Sequence, residues 1–471
     1  MRKATEYQAV QKFPLFAGYL EHFNATSIDN DIPGMLSFFY LQGQVAVPYL
    51  RIPWGTSHLD PRVHCFWIQS SRTGKSIAWE FIGDILRDVG VPHDLYTSGT
   101  DAGLIGGFEL EQDEEGNKET VLKEGMLVGR KALNFDEGSI ILNPNKHSQE
   151  TVLYLQSACN PVGSNNNKLV KHTKLGRIET ESLVSLWITT YPPAGVKEYV
   201  LTRGIFQRVL LYWSHWDLTR RMNVSHIRAE SAFKSTPKLS VNYSQITDYF
   251  KNLETKLRNR ALNLSETSFV EWDGMNRDEQ EDLLQNCMEP NANGEQMFNA
   301  EDGTFYPAMY DAIEDYYSLL TGLNPAITNV VASFIPAMEN NTVIFATHMA
   351  MLEDVWEVTG EHVDMAKDIL YDLFKNLILW LEDEVEIGPK VAEKAAQRGK
   401  WATAFHQVES VELGNRGEGW KQKSKVLKVY ETQNDCSRGS AYNNFDKWGD
   451  GLFDKAKDGR VAFIRLKEDI E

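Results

Sequence analysis

The chain has 471 residues, a formal charge of -18 and a hydrophobic content of 42%. This length predicts about three domains of roughly 150 residues, and the apolar content excludes a disordered chain. The negative charge argues against general affinity for nucleic acid, but screening beyond about 10 Å leaves room for a local basic site.

The cysteines and the N terminus indicate the compartment. The four cysteines are far apart and form no CxxC pair, so neither a zinc site nor a disulfide framework is predicted. No apolar signal core follows Met1, and the most apolar stretch, residues 32–50, is interrupted by Pro33, glycines and glutamines. We therefore expect a cytoplasmic protein, in the host cytoplasm if the chain is viral, with no membrane partner.

The first 56 residues show apolar residues at helical spacing, which predicts a helical N-terminal region. After Pro53, Gly55 and Pro61, short apolar runs alternate with helical stretches. Such alternation predicts an α/β fold with a mostly parallel sheet. The predicted strands cover residues 63–68, 132–135, 183–188 and 209–213, and a helix is predicted over residues 77–89.

The segment from Gln69 to Ser76 reads Gln-Ser-Ser-Arg-Thr-Gly-Lys-Ser, follows the first predicted strand and opens the predicted helix. This context predicts a P-loop, whose backbone N–H groups hold phosphate oxygens at a helix N terminus. Lys75 is expected to reach the β- and γ-phosphates of ATP, and the Ser76 hydroxyl to hold Mg²⁺. Gln69 departs from the usual glycine, whose backbone turn a residue with a Cβ adopts less readily. The expected ATP-binding residues are Ser71, Arg72, Thr73, Gly74, Lys75, Ser76 and Ile77.

An acidic pair, Asp136 and Glu137, follows the second predicted strand. Asp136 is expected to orient the Mg²⁺ shell together with Ser76, and Glu137 to polarise the attacking water. The alternative is an ordinary surface turn before Gly138.

Thr189 ends the third predicted strand, where a polar side chain can sense the γ-phosphate or hold the water. Arg208, with Arg203 in reserve, is the candidate for an arginine finger that enters a neighbouring subunit's site. The alternatives are an ordinary strand-end threonine and structural or surface arginines.

The stretch from Thr151 to Ile178 contains no Asp or Glu, although the chain is acidic. It predicts a protruding loop or hairpin that contacts the phosphates of single-stranded DNA in the channel of a ring, and a solvated loop is the alternative. The predicted nucleic-acid contacts are Lys168, Lys171, Lys174 and Arg177.

Beyond Met222 the chain is expected to be helical, and residues 278–366 carry 17 Asp and Glu but no Lys or Arg, which indicates a solvated acidic face. Helices and a terminal hairpin around residues 457–459 suggest a winged-helix-like module. Its Lys421, Lys423, Lys425 and Lys428 would place the protein on DNA, or form a solvated face. The expected domains are 1–60 (helical), 61–225 (P-loop ATPase core), 226–360 (helical acidic lid) and 361–471 (winged-helix-like).

From about Phe13 to Leu381 these motifs together resemble the AAA-like helicase domain of phage, plasmid and prophage primase–helicases. Residues 97–104, 344–350 and 358–363 are also similar to segments of that family. The resemblance implies a hexameric, ATP-driven DNA helicase of a virus or mobile element, with a separate primase or polymerase as partner. The basic lid residue of such ATPases is replaced by Thr342.

Two other functions stay open. One is a DNA-packaging or translocating motor, although clustered carboxylates of a nuclease domain are not found near the C terminus. The other is a non-catalytic replication assembly factor that uses nucleotide only to order its assembly.

Overall fold

The computed structural model describes residues 2–96, 101–112, 118–136, 138–142, 149–173, 176–193, 196, 201, 204–231, 239–301, 303–383, 400–413, 416–434, 436–445, 452–459 and 461–466. The chain forms two compact units, a larger one of residues 1–323 and 328–385 and a smaller one of residues 324–327 and 386–471. None of the helices within the described ranges is long and apolar enough to cross a membrane.

In chain order, the strands of the larger unit are β1 (Ile52–Trp54), β2 (Ser57–Leu59), β3 (Cys65–Gln69), β4 (His93–Tyr96), β5 (Gly106–Gln112), β6 (Lys118–Glu124), β7 (Gly129–Phe135), β8 (Leu169–Thr173), β9 (Gly176–Thr180), β10 (Ser182–Thr190), β11 (Leu210–Ser214), β12 (Asn299–Ala300) and β13 (Glu357–Val358).

The helices that lie wholly or partly in this unit are α1 (Gln8–Lys12), α2 (Pro14–Thr26), α3 (Asp31–Ala46), α4 (Lys75–Val89), α5 (Asp101–Ile105), α6 (Ser139–Leu142), α7 (Gln149–Ala158), α8 (Leu218–Ser231), α9 (Tyr243–Leu264), α10 (Phe269–Gly274), α11 (Arg277–Asn286), α12 (Phe305–Ser318), α13 (Pro325–Ala332), α14 (Ile335–Glu353) and α15 (Gly360–Asp383).

A five-stranded sheet in the order β11-β3-β10-β7-β4 forms the centre of the larger unit, and all its strand pairs are parallel. Every residue of β3 and β10 is buried, as expected for strands covered on both faces. The predicted α/β class is confirmed, and the sheet is compatible with a Rossmann-like or P-loop core. All four predicted strands are present, and the edge strand β4 is an addition.

Helix α3 packs on the sheet, α2 packs on α3, and α1 packs on α2. Of the residues of α3, all but Asp31 are buried, because apolar or small side chains occur on every face of this helix. Phe38 packs on Phe16 with ring centroids 4.8 Å apart, and Phe39 packs on Phe345 of α14 at 4.5 Å. The predicted helical region is not helical to its end, because β1 and β2 form a hairpin around a glycine at φ +60°.

Helix α15 belongs to the larger unit, which extends past residue 361, where the sequence predicted a domain boundary. Helix α15 packs on α12 and α14, and the side chain of Asn376 attaches it to the sheet. This side chain accepts a hydrogen bond from the Trp213 N–H of β11 and donates one to the Trp213 carbonyl, both at 2.8 Å. The edge strand of the sheet is thereby capped by this helix.

The smaller unit contains a helical stretch over residues 400–406, and then β14 (Lys421–Gln422), α16 (Lys423–Gln433), α17 (Arg438–Asn444), β15 (Phe453–Asp458) and β16 (Val461–Leu466). The predicted terminal hairpin is confirmed as β15–β16, and β14 completes a three-stranded antiparallel sheet. Trp401 stacks on Tyr430 at 3.7 Å in its core. Lys421 is buried and donates to the Phe405 carbonyl at 2.8 Å, so this lysine is structural and is not available to DNA.

Candidate nucleotide-binding site

The predicted phosphate loop connects β3, an interior strand of the sheet, to α4. The strand ends at Gln69 and the helix begins at Lys75. Gly74 has φ +101°, and a Cβ at this position would lie 2.6 Å from the Ser27 hydroxyl oxygen, so both the backbone and the space require glycine. The N–H groups in the first turn of α4 have no partner within the helix and face the loop. This strand–loop–helix geometry is the context that phosphate binding requires.

Lys75 is held over the loop by backbone carbonyls. Its Nζ donates to the carbonyl oxygens of Gln69 at 2.5 Å and Ser70 at 3.0 Å, and lies 4.7 Å from the centroid of the Tyr191 ring. Burial lowers the pKa of Lys75 to about 8, and the Asp136 carboxylate offsets part of that effect. An ammonium that is stripped of water and held by two neutral oxygens gains from an incoming anion.

Gln69 does not disturb the loop. It is not one of the residues in the left-handed region, where Arg72 at φ +61° and Gly74 supply the turn instead. The Gln69 side chain is buried, accepts a hydrogen bond from the indole N–H of Trp67 and donates one to Asn30 Oδ1 at 3.2 Å. A residue with a Cβ is therefore accommodated where the pattern expects glycine.

Two more predicted residues meet at the same edge of the sheet. Asp136 follows β7, Thr189 lies near the end of β10, and β10 lies between β7 and β3. Thr189 Oγ1 donates a 2.6 Å hydrogen bond to Asp136 Oδ1. Thr189 is buried, whereas Asp136 is exposed. Glu137 lies outside the described residues.

Oxygen donors at this edge suit Mg²⁺. Ser76 is exposed in the first turn of α4, and the Asp136 carboxylate is held by a single described side-chain hydrogen bond. In the described part of the chain, His, Cys, Asp and Glu form no group of three that could hold a metal ion. Mg²⁺ usually takes only one or two protein oxygens and completes its shell with phosphates and waters. The Ser76 and Asp136 oxygens therefore fit this ion.

Sequence reasoning missed Arg221, a cation that contacts the phosphate loop. Its Nη2 donates to the Ser70 hydroxyl at 2.6 Å, and its Nε donates to the Trp216 carbonyl at 3.1 Å. The neighbouring Arg220 forms an ion pair with Asp29. The sequence could have indicated Arg221, because this residue lies in the helix that follows β11. The carboxyl end of β11 lies at the same edge of the sheet as the carboxyl end of β3, where the phosphate loop begins.

Thr342 has a structural role. It is buried in α14, where its hydroxyl donates to the Met338 carbonyl at 2.8 Å and lies 2.9 Å from the Tyr316 hydroxyl.

Arg208 lies at the amino ends of the strands, whereas the phosphate loop lies at their carboxyl ends. Leu210, the first residue of β11, pairs with Cys65, the first residue of β3, so Arg208 is about 15 Å from the loop along the strands. Its Nε donates to Asn160 Oδ1 at 2.6 Å and its Nη1 to the Gly204 carbonyl at 2.5 Å, and burial lowers the pKa of its guanidinium. Arg203 lies outside the described residues.

A cavity of about 320 Å³ borders Arg208, which is half-buried. The buried Arg62 also lines this cavity and is paired with Asp60. Among the described residues, Arg208 contacts only neutral oxygens and no carboxylate.

The hairpin predicted in the basic stretch is present as β8–β9 in the second half of the stretch, whereas residues 151–158 lie in α7. Lys168 and Arg177 both face Glu179, with nitrogen–oxygen distances of 3.8 and 2.7 Å. Lys171 Nζ donates to the Gly106 carbonyl of β5 at 3.4 Å. Glu179 lies just beyond the acid-free stretch and partly balances its charge, although exposed ion pairs of this kind are weak. Lys174 lies outside the described residues.

No protein-family model matches the chain, and no curated protein matches it.

Proposed function

We propose that this protein hydrolyses ATP and uses that reaction to translocate on single-stranded DNA, as a ring-forming helicase of a virus or mobile element. The observation that carries the proposal is the arrangement at the carboxyl edge of the sheet. Lys75 is buried over a strand–loop–helix bend, and the next strands bring Thr189 and Asp136 to the same edge. Cytoplasmic location, in the host if the protein is viral, belongs to the same proposal.

Each residue at this edge has a distinct task in the proposed reaction. The loop amides, Lys75 and Arg221 bind the phosphates of ATP, and the charges of the two cations favour the transition state of phosphoryl transfer. Mg²⁺, held by Ser76 and Asp136, would neutralise charge on the phosphate oxygens. Thr189 fixes the orientation of the Asp136 carboxylate through its hydrogen bond.

The remaining roles of the site follow the sequence prediction. Glu137 is assigned to polarise the attacking water, and Ser71, Arg72, Thr73 and Ile77 line the phosphates. Ser71, Arg72, Thr73 and Ile77 are assigned by their positions in and next to the loop.

Assembly into a hexamer is supported by the position of Arg208. A residue about 15 Å from its own loop cannot serve that loop, but it can serve the loop of an adjacent copy in a ring. The Arg208 guanidinium has no carboxylate partner among the described residues, so it keeps its charge for an external phosphate. Lys168, Lys171 and Arg177 of the β8–β9 hairpin are then assigned to the DNA strand, together with Lys174.

Finer features of the fold belong to the same proposal. In the smaller unit, the order helix, strand, helix, helix and hairpin supports a winged-helix-like module. Its exposed Lys425 and Lys428 are assigned to duplex DNA. Helices α9 to α15 are assigned to the lid of an AAA-like ATPase, and a separate primase or polymerase is the proposed partner.

A nucleotide-dependent assembly factor is a second candidate. Two features of the proposed lid favour this candidate. Thr342 stands where a cation is expected and is buried in α14, and residues 278–366 carry no Lys or Arg. Such a factor would bind ATP with little turnover.

ATPase activity, measured with and without single-stranded DNA, tests the proposal. We expect hydrolysis that DNA stimulates and that Lys75→Ala abolishes, together with displacement of a labelled strand from a forked duplex. Nucleotide binding without turnover favours the assembly factor. DNA-stimulated hydrolysis without strand displacement favours a packaging or translocating motor. Absence of nucleotide binding overturns all three.

A further inference from the structure

The turn between α2 and α3, residues 27–30, contacts the back of the phosphate loop. Asn30 Nδ2 donates to the Thr73 carbonyl at 2.8 Å, and Ser27 Oγ donates to the Gly74 carbonyl at 3.1 Å. Both Asn30 and Ser27 are fully buried. A segment more than forty residues before the loop thus supplies two hydrogen-bond donors to it.

These two contacts fix the direction of loop amides. In a planar trans peptide the C=O and the following N–H point in opposite directions, and the described chain has no cis peptide. Holding the Thr73 carbonyl toward Asn30 therefore turns the Gly74 N–H away from the turn. Holding the Gly74 carbonyl toward Ser27 does the same for the Lys75 N–H. These amides are the donors that a phosphate at this loop requires.

Asn30 also connects the loop to its unusual first residue. Its Oδ1 accepts from Gln69 Nε2 at 3.2 Å, and its Nδ2 lies 2.9 Å from Ser27 Oγ. The Asn30 side-chain amide offers a donor for the Thr73 carbonyl and an acceptor for Gln69 at once, through two different atoms. An aspartate at this position lacks the donor, and an alanine lacks both.

We propose that Asn30 is a positioning residue for nucleotide phosphates, and that the N-terminal helical layer is part of the phosphate site. The inference rests on the proposed nucleotide-binding function. In this arrangement the buried amide of Asn30 stabilises the turn of the loop, a task that the motif normally assigns to its first glycine. The loop is then ordered before the ligand arrives, and a preordered site binds more tightly.

The test is the dissociation constant of MgATP for the full chain and its variants, measured well below the melting temperature. Asn30→Ala is expected to weaken binding by roughly tenfold to a hundredfold, the range typical of residues that orient the direct ligands of a site. Asn24→Ala is the matched control. Asn24 lies in α2 and donates to Asp31 Oδ1 at 2.7 Å, with no described contact to the loop. We expect this control to bind MgATP like the wild type.

A merely structural role predicts a different result. Asn30→Ala would then lower the melting temperature while the folded protein bound MgATP with unchanged affinity, and that outcome overturns the inference. If Asn30→Ala does not fold, Ser27→Ala removes a single donor to the loop and serves instead, and unchanged affinity in Ser27→Ala is equally adverse. Failure of the wild type to bind MgATP is a separate result, which refutes the nucleotide site itself.

Discussion

Thr189 donates a 2.6 Å hydrogen bond to the carboxylate of Asp136, across the two neighbouring strands β10 and β7. Thr189 is buried and Asp136 is exposed, so the hydroxyl acts as a fixed anchor for a carboxylate that faces solvent. The contact joins two residues that were predicted independently from the sequence. Both residues lie at the same carboxyl edge of the sheet as the phosphate loop, and β10 is the direct neighbour of the strand that leads into that loop.

Loss of this anchor is expected to slow hydrolysis. Thr189→Val keeps the side-chain shape but removes the donor, and a hydrogen bond to a charged group contributes about 1.5–3 kcal/mol. The turnover number is therefore expected to fall by roughly tenfold to a hundredfold, with little change in the affinity for ATP. Thr189→Ser, which keeps the hydroxyl, is the matched control in steady-state kinetics. Equal turnover in the valine variant and the wild type contradicts the role of Thr189.

Nucleotide affinity is expected to depend on pH through Lys75. Its pKa is about 8 in the nucleotide-free protein because burial disfavours the charged form. Bound phosphate favours the ammonium and raises this pKa, so binding takes up a proton when the pH exceeds 8. The affinity should therefore fall by up to about tenfold per pH unit above 8, measured by titration between pH 7 and pH 9.5.

Lys75→Arg provides the control for that titration, because a guanidinium stays protonated over this range. If the variant still binds nucleotide, its affinity should be nearly constant with pH. The same slope in both proteins assigns the pH dependence to another group.

Arg208 is expected to act on a neighbouring subunit. Arg208→Ala should bind ATP normally but hydrolyse it about 10³-fold more slowly, the lower end of the range for arginine fingers. Lys75→Ala should be inactive because it cannot bind nucleotide. A mixture of the two variants forms composite sites in which a wild-type loop faces a wild-type arginine, so activity should reappear. Mixtures that stay inactive, although hexamers form, exclude the action of Arg208 in trans.

The β8–β9 hairpin is expected to contact phosphates of single-stranded DNA. Each cation lost should reduce the slope of log affinity against log salt by about 0.7. Lys171→Ala and Arg177→Ala should each show this change in fluorescence anisotropy. Lys256→Ala is the control, since Lys256 is an exposed lysine of α9 paired with Asp354. Unaltered slopes in the hairpin variants identify the hairpin as a solvated structural element.

Stability of the larger unit is expected to depend on a buried ion pair between Arg51 and Glu281. Burial alone would raise the pKa of Glu281, but the adjacent Arg51 outweighs it and lowers this pKa. The stabilisation is therefore present above the usual pKa of a glutamate and is lost as the pH falls below it. Glu281→Ala should cost about 3–5 kcal/mol of unfolding free energy, because it leaves the Arg51 charge buried and unpaired.

The control for that measurement is Asp84→Ala. Asp84 pairs with Arg87 on the surface of α4, where both side chains are more than half exposed. Such a pair contributes at most about 1 kcal/mol. Similar losses in the two variants in urea unfolding exclude a special role for the buried pair.

Local patterns predicted much of the central sheet. The runs that became β3, β7, β10 and β11 are mostly apolar, although Asn134 interrupts β7 and Ser185 interrupts β10, so their burial largely follows from composition. Strand β4 reads His-Asp-Leu-Tyr and was missed, because an edge strand needs no continuous apolar run. The β1–β2 hairpin was also missed, because apolar residues at helical spacing had predicted a helical N-terminal region there.

Local sequence patterns could not predict the contacts between distant segments of the chain. Arg221 and Ser70 are separated by 151 positions, and Asn30 and Thr73 by 43. Their proximity depends on the order of the strands in the sheet and on where α2 and α3 pack. Neither property is encoded in a local window of sequence. The residues of the loop itself were predictable because phosphate binding imposes a local spacing on them.

Calorimetric titration with ATP in the presence of Mg²⁺ tests the central claim most directly. We predict saturable binding of one ATP per wild-type chain and no measurable binding to a folded Lys75→Ala variant. A wild-type chain that binds no ATP, or a variant that binds it equally well, would contradict the assignment of this loop as a phosphate site.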